Sequence, residues 1–350
     1  MSPGAPLLLT EDEALTGEVL RLAAAAGTPV EVLPGLTAGL GPWANAEVVL
    51  VGADQAARLV GAAPPPRDQV HVLALGSAPD PLFRSALDLR ASSVLELPAA
   101  EQWLVEMLTD LGDGAHRPAT TVAVVGGSGG VGATVLAAAL ALTAGRDARV
   151  MLVDLDPWGP GLRRIVGLDE PTGVTWRDLA QSPGRLGSRA LRDALPGRDG
   201  VGVLGWPDET TAVPSPALVR EVLSAGSRGH DWLVIDSPRG ADPAMAAMLG
   251  RCHHVVLVAR AAVGAVASAA RVADRLRSDG AAVGAVVRCR RGSPLAEDVA
   301  RALGLELLCE LPDQRRLDEH LDLGLGPVRS RRCPLALSAA ALVDRLGVGR

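Results

Sequence analysis

Val124-Val125-Gly126-Gly127-Ser128-Gly129-Gly130-Val131-Gly132-Ala133-Thr134-Val135 is the stretch on which the reading of this 350-residue chain turns. An apolar run, Thr121–Val125, meets a glycine-rich loop and then a helical pattern, Ala133–Thr143. Glycines let the backbone bend so that successive N–H groups face inward, and the following helix adds its positive end. Such a loop binds phosphate. Two motifs overlay it. Gly127-x-Gly129-x-x-Gly132 satisfies a dinucleotide fingerprint, with Asp154 closing the next strand where a ribose-binding acid belongs. Gly127-x-x-x-x-Gly132-Ala133-Thr134 has phosphate-loop (Walker A) spacing, with Ala133 in place of the lysine and Thr134 in the metal-ligand position.

Two downstream features favour the second motif. Val150–Val153 runs into Asp154-Leu155-Asp156-Pro157, two acids just past a strand. Trp232-Leu233-Val234-Ile235 ends in Asp236-Ser237-Pro238-Arg239-Gly240, the form of a carboxylate that holds Mg²⁺ beside a phosphate loop. An Asp in that position also suits an ordinary helix cap, so the motif carries weight only together with the loop.

In order, Ser-Gly-Gly-Val-Gly-Ala-Thr (128–134), Val-Asp-Leu-Asp-Pro (153–157) and Ile-Asp-Ser-Pro-Arg-Gly (235–240) resemble the MinD/ParA family of deviant-Walker ATPases. The later segments Val255–Arg260 and Gly304–Asp313 resemble that family's last strands, so the likeness spans roughly residues 120–330. Joined to a receiver-like N-terminal half, the chain is similar to the CpaE/TadZ branch, and within it to the actinobacterial septum site-determining (Ssd) proteins. The resemblance implies a loop, Gly127 to Val135 (Gly127, Ser128, Gly129, Gly130, Val131, Gly132, Ala133, Thr134, Val135), that takes ATP or ADP. It also implies Mg²⁺ on Thr134 and Asp236, and Asp154 and Asp156 as the carboxylates of any hydrolysis. The departures are specific. Ser128 and Ala133 stand where the family carries lysines, and Arg288 stands near the place of its base-reading Asn. Loss of a charge-assisted phosphate contact weakens binding by roughly 1.5–3 kcal/mol, and phosphoryl transfer suffers more. Arg163, Arg164 and Arg239 are candidates to supply the missing charge. Weak or absent hydrolysis is expected. The alternatives are an active ATPase rescued by an arginine and an NAD-binding enzyme.

The expected fold class is α/β, two doubly wound parallel-sheet domains. Residues 1–112 form a receiver-like domain, 113–120 a linker rich in Gly and polar residues, and 121–350 the P-loop domain. In the first domain, short apolar runs at Pro6–Leu9, Val30–Leu33, Glu47–Val51, Val70–Leu75 and Val94–Leu97 alternate with helical patterns. Its receiver chemistry is missing. Glu11-Asp12-Glu13 resembles the Mg²⁺-holding acids, but the third strand ends in Gly52 where a phospho-accepting Asp belongs. Asp54 is placed in a turn two residues later, and Leu97 replaces the lysine before Pro98. A pseudo-receiver used for docking or dimerisation follows.

Composition narrows the function. All 34 cationic residues are Arg, so no lysine chemistry is available. Aromatics are 2% and the net charge is -6, which argues against a base-stacking or bulk nucleic-acid surface. The four cysteines are scattered, as in a reducing cytosol, and Cys252-His253-His254 is the single stretch that tempts a metal reading. No signal peptide or spanning run is visible, so the expected location is cytoplasmic, with recruitment to the inner face of the membrane at septum or pole. The implied partners are a second copy of the chain and cell-division or Tad/Flp-type secretion ATPase machinery. Arg329, Arg331 and Arg332 offer a local basic patch for peripheral contact with an anionic membrane or, in the alternative of a chromosome-partition protein, with DNA.

Overall fold

The computed structural model describes residues 5–36, 40–112, 118–168, 173–181, 186–207, 213–240, 243–290 and 292–347. Residues 113–117 of the expected linker lie outside them. The chain divides into two compact units, Met1–His116 and Arg117–Arg350.

In the first unit the order is β1 (Leu7–Leu9), α1 (Glu13–Ala26), β2 (Glu31–Leu33), α2 (Gly41–Asn45), β3 (Val49–Gly52), α3 (Ala53–Ala62), β4 (Val70–Leu75), α4 (Asp80–Asp88), β5 (Ser93–Leu97) and α5 (Glu101–Gly112). All strands are parallel, in spatial order β2-β1-β3-β4-β5. Because side chains alternate along a strand, Leu7 and Leu9 feed the core under α3 and α4, while Leu8 joins Leu22, Leu104 and Leu108 on the other face. Asp54 is not in a turn. It opens α3, because Gly52 caps that helix directly off β3.

The second unit runs β6 (Thr120–Gly126), α6 (Ala133–Ala144), β7 (Val150–Asp154), α7 (Leu162–Ile165), α8 (Trp176–Gln181), α9 (Ser188–Ala194), β8 (Gly197–Arg198), β9 (Val201–Leu204), α10 (Pro216–Gly229), β10 (Trp232–Ser237), α11 (Pro243–Leu249), β11 (His254–Arg260), α12 (Val263–Ser278), β12 (Val283–Cys289), α13 (Ala296–Leu303), β13 (Glu306–Pro312), α14 (Leu317–Asp322) and α15 (Pro334–Leu346). Its sheet order is β13-β12-β11-β6-β10-β7-β9-β8, parallel except for the two-residue edge strand β8. The glycine-loop strand β6 therefore lies between β10 and β11. In a dinucleotide-binding fold the second strand pairs with the first; here β10 separates β7 from β6. The topology thus sides with the P-loop motif over the NAD reading.

α6 is apolar all round and buried from Leu136 to Ala144, held between the sheet and α15. α15 inserts Leu335, Leu342 and Leu346; Leu337, expected on its apolar face, is 57% exposed. The last strand is longer than Leu305–Leu308. A register shift against Ala285 and Val286 carries β13 on to Pro312, with Leu308 stacked over Gly284, where a Cβ would collide with it. Cys252-His253-His254 serves the entry into the interior strand β11. His253 Nδ1 accepts from the Thr121 N–H at 3.0 Å, and the Cys252 thiol donates to the Met248 carbonyl. No helix among the described residues is long and apolar enough to cross a membrane.

At the start of β10, His230 is buried and its Nδ1–H donates to the Gly226 carbonyl at 3.0 Å. Burial, helped by the charges of Arg192 and Arg149, pushes its pKa down from 6.5 to about 4. The unfolded chain binds this proton as pH falls below 6.5 while the folded one stays neutral, so stability is lost from pH 6.5 towards 4. Between pH 7.5 and 5 the loss from this group is about 2 kcal/mol. Urea midpoints across that range should show it, and His230→Asn, whose amide keeps a donor for Gly226, should flatten the slope.

Candidate functional site

The loop is set by a steric demand at its root. The Gly127 N–H donates to the Val258 carbonyl of β11 at 2.8 Å. A Cβ on Gly127 would sit 2.6 Å from Ala269 Cβ of α12 and 3.1 Å from the Val258 oxygen, so only glycine fits. Gly127 therefore anchors the loop, and its amide is not free for a phosphate. Gly130 and Gly132 then turn the chain with φ of +64° and +95°. Gly132 caps α6 without a side-chain hydrogen bond, which leaves the first-turn N–H groups at Ala133, Thr134 and Val135 for a ligand. Ser128, Gly129, Gly130, Val131 and Gly132 complete one wall of a cavity of about 420 Å³.

Two carboxylates stand at the strand ends beside it. The register pairs Asp236 with Val124 of β6 on one side and Asp154 of β7 on the other, and both acids are buried. Thr134, in the first turn of α6, lines the same cavity as Asp236 and lowers its carboxyl, so the two residues expected to hold a metal are brought together. Burial, then the neighbouring Asp154 charge, raises Asp236 to about 8, against which Thr134 pulls down. Burial raises Asp154 less, to about 6, because it accepts the N–H groups of Leu162 at 2.9 Å and Asp156 at 3.1 Å. Asp154 is tied into its own loop and borders a neighbouring cavity, whereas Asp156 borders both. Asp154 also offers no free carboxylate to a ribose diol, which again disfavours the NAD reading.

The arginines sort by geometry. Arg239, following β10, places Nη2 3.8 Å from the Cβ position of Gly129, and Arg288, on β12, places Nη1 3.7 Å from that of Gly132. Arg163 and Arg164 line the neighbouring cavity instead. Leu311, Pro312, Asp313, Gln314, Asp318 and Leu335 close the wall facing the loop. Of these, Asp318 had no motif to mark it; α14 brings it there.

In the first unit the receiver's acidic site is occupied by internal bonds. Asp54 accepts from Thr10 Oγ1 at 2.7 Å, the Glu11 N–H at 2.7 Å and Gln55 Nε2 at 2.9 Å. Partial burial would raise its carboxyl, but those three donors outweigh it and hold it below the ordinary range. Asp12 caps α1 through the N–H groups of Ala14 and Leu15, and Glu11 pairs with Arg58 at 3.1 Å. Glu11-Asp12-Glu13 therefore does not form one cation site. Gly52 has no room for a side chain, since a Cβ there would meet Asp54 Oδ1 and lie 2.5 Å from Thr10 Oγ1.

Strand order, glycine loop and buried acids define a P-loop protein of MinD/ParA type preceded by a CheY-like domain. Residues 9–119 match the family described as Rv3660c-like, CheY-like N-terminal domain. The chain belongs to the Rv3660c-like family: it is 36% identical over 351 residues to the Mycobacterium tuberculosis protein Rv3660c, covering 97% of this chain and 98% of that one. Among solved structures it is similar to the Pyrococcus furiosus cell division ATPase MinD, with TM-score 0.56 and 26% identity over 65% of this chain and 98% of that one. The Pyrococcus horikoshii septum site-determining protein MinD, complexed with Mg-ADP, shares the fold with TM-score 0.57 at 21% identity, over 66% of this chain and 96% of that one.

Gly127→Ala should lower the urea midpoint by an amount equivalent to roughly 1–3 kcal/mol, as overpacking does. Gly129→Ala, with nothing nearer than 3.8 Å, should leave it within ~0.5 kcal/mol. Gly52→Asp should not create a phosphorylation site: acetyl phosphate should label neither it nor the wild type, and the variant should be the less stable in urea.

Proposed function

We propose that this chain is a positional regulator of the CpaE/Ssd kind, a dimerising scaffold that marks a cell site for septum placement or for pilus and secretion machinery. Its P-loop cavity binds Mg-nucleotide and hydrolyses it weakly or not at all. The observation that carries this is the pairing of an uncapped helix N-terminus and the juxtaposed Thr134 and Asp236 with a loop that has no lysine. Loop amides from Ser128 to Val135 would cradle the phosphates and Thr134 and Asp236 would hold Mg²⁺, which when bound neutralises phosphate charge. Transition-state charge on the γ-phosphoryl would lack its usual lysine, hence the slow chemistry. The cell-division names of the MinD relatives support the septum role over the pilus role.

The first unit serves this reading as a pseudo-receiver. Its Asp54 network replaces a phosphorylation switch with fixed internal bonds, which suits a docking or dimerisation module. Cell-division or Tad/Flp-type ATPase machinery is the partner class. The exposed Arg329, Arg331 and Arg332 support peripheral contact with an anionic membrane. An active ATPase is the second reading, favoured by Arg239 and Arg288 standing over the loop.

Calorimetry with ATP, ADP and NAD, with and without Mg²⁺, tests the proposal. Mg²⁺-dependent ATP binding that Thr134→Ala and Asp236→Ala each abolish is expected, with no NAD binding and no phosphate release above background. Release lost in Asp236→Ala would establish the ATPase instead.

A further inference from the structure

The P-loop cavity has a charge problem. Asp156, Asp313 and Asp318 all border it, and the loop itself contributes no cation. A polyphosphate entering such a lining meets net repulsion unless something offsets the acids. Arg239 and Arg288 are the cations in the lining, one beside Gly129 and the other beside Gly132.

We propose that Arg288, carried on β12 and oriented by Asp313, is the phosphate-binding cation of this cavity, taking the part a loop lysine plays elsewhere, with Arg239 as a weaker outer second. This rests on the reading that the cavity takes a nucleotide. Arg288 Nε donates to Asp313 Oδ1 at 2.7 Å, and Arg290 Nε donates to Oδ2 of the same carboxylate at 3.0 Å. The carboxylate is thus shared by two guanidiniums, and the trio retains a net charge of about +1. Burial would raise the Asp313 carboxyl, but Arg288 and Arg290 outweigh that and hold it low and ionised.

Anchoring through Nε leaves both Nη groups of Arg288 available, with Nη1 turned towards Gly132. A planar guanidinium can hold one anion at Nε and a second across its Nη edge, whereas an ammonium is a single point charge. Arg288 is the more buried of the two, its side chain 25% exposed against 62% for Arg290. The amide beside it is held within the domain: Gln314 Nε2 donates to the Pro327 carbonyl at 3.1 Å and its Oε1 accepts from the Leu335 N–H at 3.3 Å. The extended β13 makes the arrangement, because its register sets Leu311 against Arg288 and so brings Asp313 alongside.

Calorimetric titration of the full chain with Mg-ATP and, separately, with inorganic tripolyphosphate tests this. Arg288→Ala should weaken both ligands about tenfold or more, Arg239→Ala less, and Arg163→Ala, at the neighbouring cavity, not beyond twofold. Arg288→Gln removes the charge but keeps a donor for Asp313, and should lose as much as the alanine variant while retaining the wild-type urea midpoint. If Arg288→Ala and Arg288→Gln weaken ATP but bind tripolyphosphate like the wild type, the residue serves the base and the inference falls. Unchanged binding of both ligands also overturns it. A wild-type chain that binds neither ligand at millimolar concentration overturns the nucleotide reading itself.

Discussion

The hydrogen bond from the Gly127 N–H to the Val258 carbonyl, made where Gly127 lies against Ala269, is the constraint on which the second unit depends. It joins the root of the glycine loop to the neighbouring strand and to the helix covering that strand. With the root pinned, Gly130 and Gly132 turn the chain into the first turn of α6. The helix N-terminus then faces a fixed cavity, and the β6–β10–β7 register sets Asp236 and Asp154 level beside it.

Charge in the cavity follows from where those strands end. Burial lifts both neighbouring acids above the ordinary carboxylate range, and the N–H groups of Leu162 and Asp156 that Asp154 accepts keep its rise below that of Asp236. Positive charge must come from outside the loop, and a chain whose cations are all arginine brings it in from two other strand ends. The first unit shows the same economy with opposite result. There Thr10 and Asp54 close on each other, and the space a phospho-acceptor needs is already filled.

Local grammar made much of the fold legible. Val70–Leu75 and Pro334–Leu346 announce themselves by apolar pattern and flanking residues, and the structure has both with those bounds. The switch from an apolar run to glycines to an alanine-rich helix marked the loop. What stayed hidden depended on contacts between distant residues. Asp54 reads as a turn residue because nothing local reveals that α3 begins directly off β3. Leu337 follows the periodicity of its helix, yet its side chain is largely exposed. The extension of β13 rests on Leu308 finding room over Gly284, a fact of the neighbouring strand. Arg288 could be aligned with a base-reading position from sequence, but its pairing with Asp313 needed that extension.

The burial of α6 has a mechanical implication. From Leu136 to Ala144 every residue is enclosed by the sheet and α15, at packing that leaves no slack for sliding or rotation. A ligand at its N-terminus cannot use it as a piston. Rearrangement around a ligand falls instead to exposed side chains of the cavity wall such as Arg239, which can change neighbours at little cost to the core. The rigid helix is the anvil against which such side chains work.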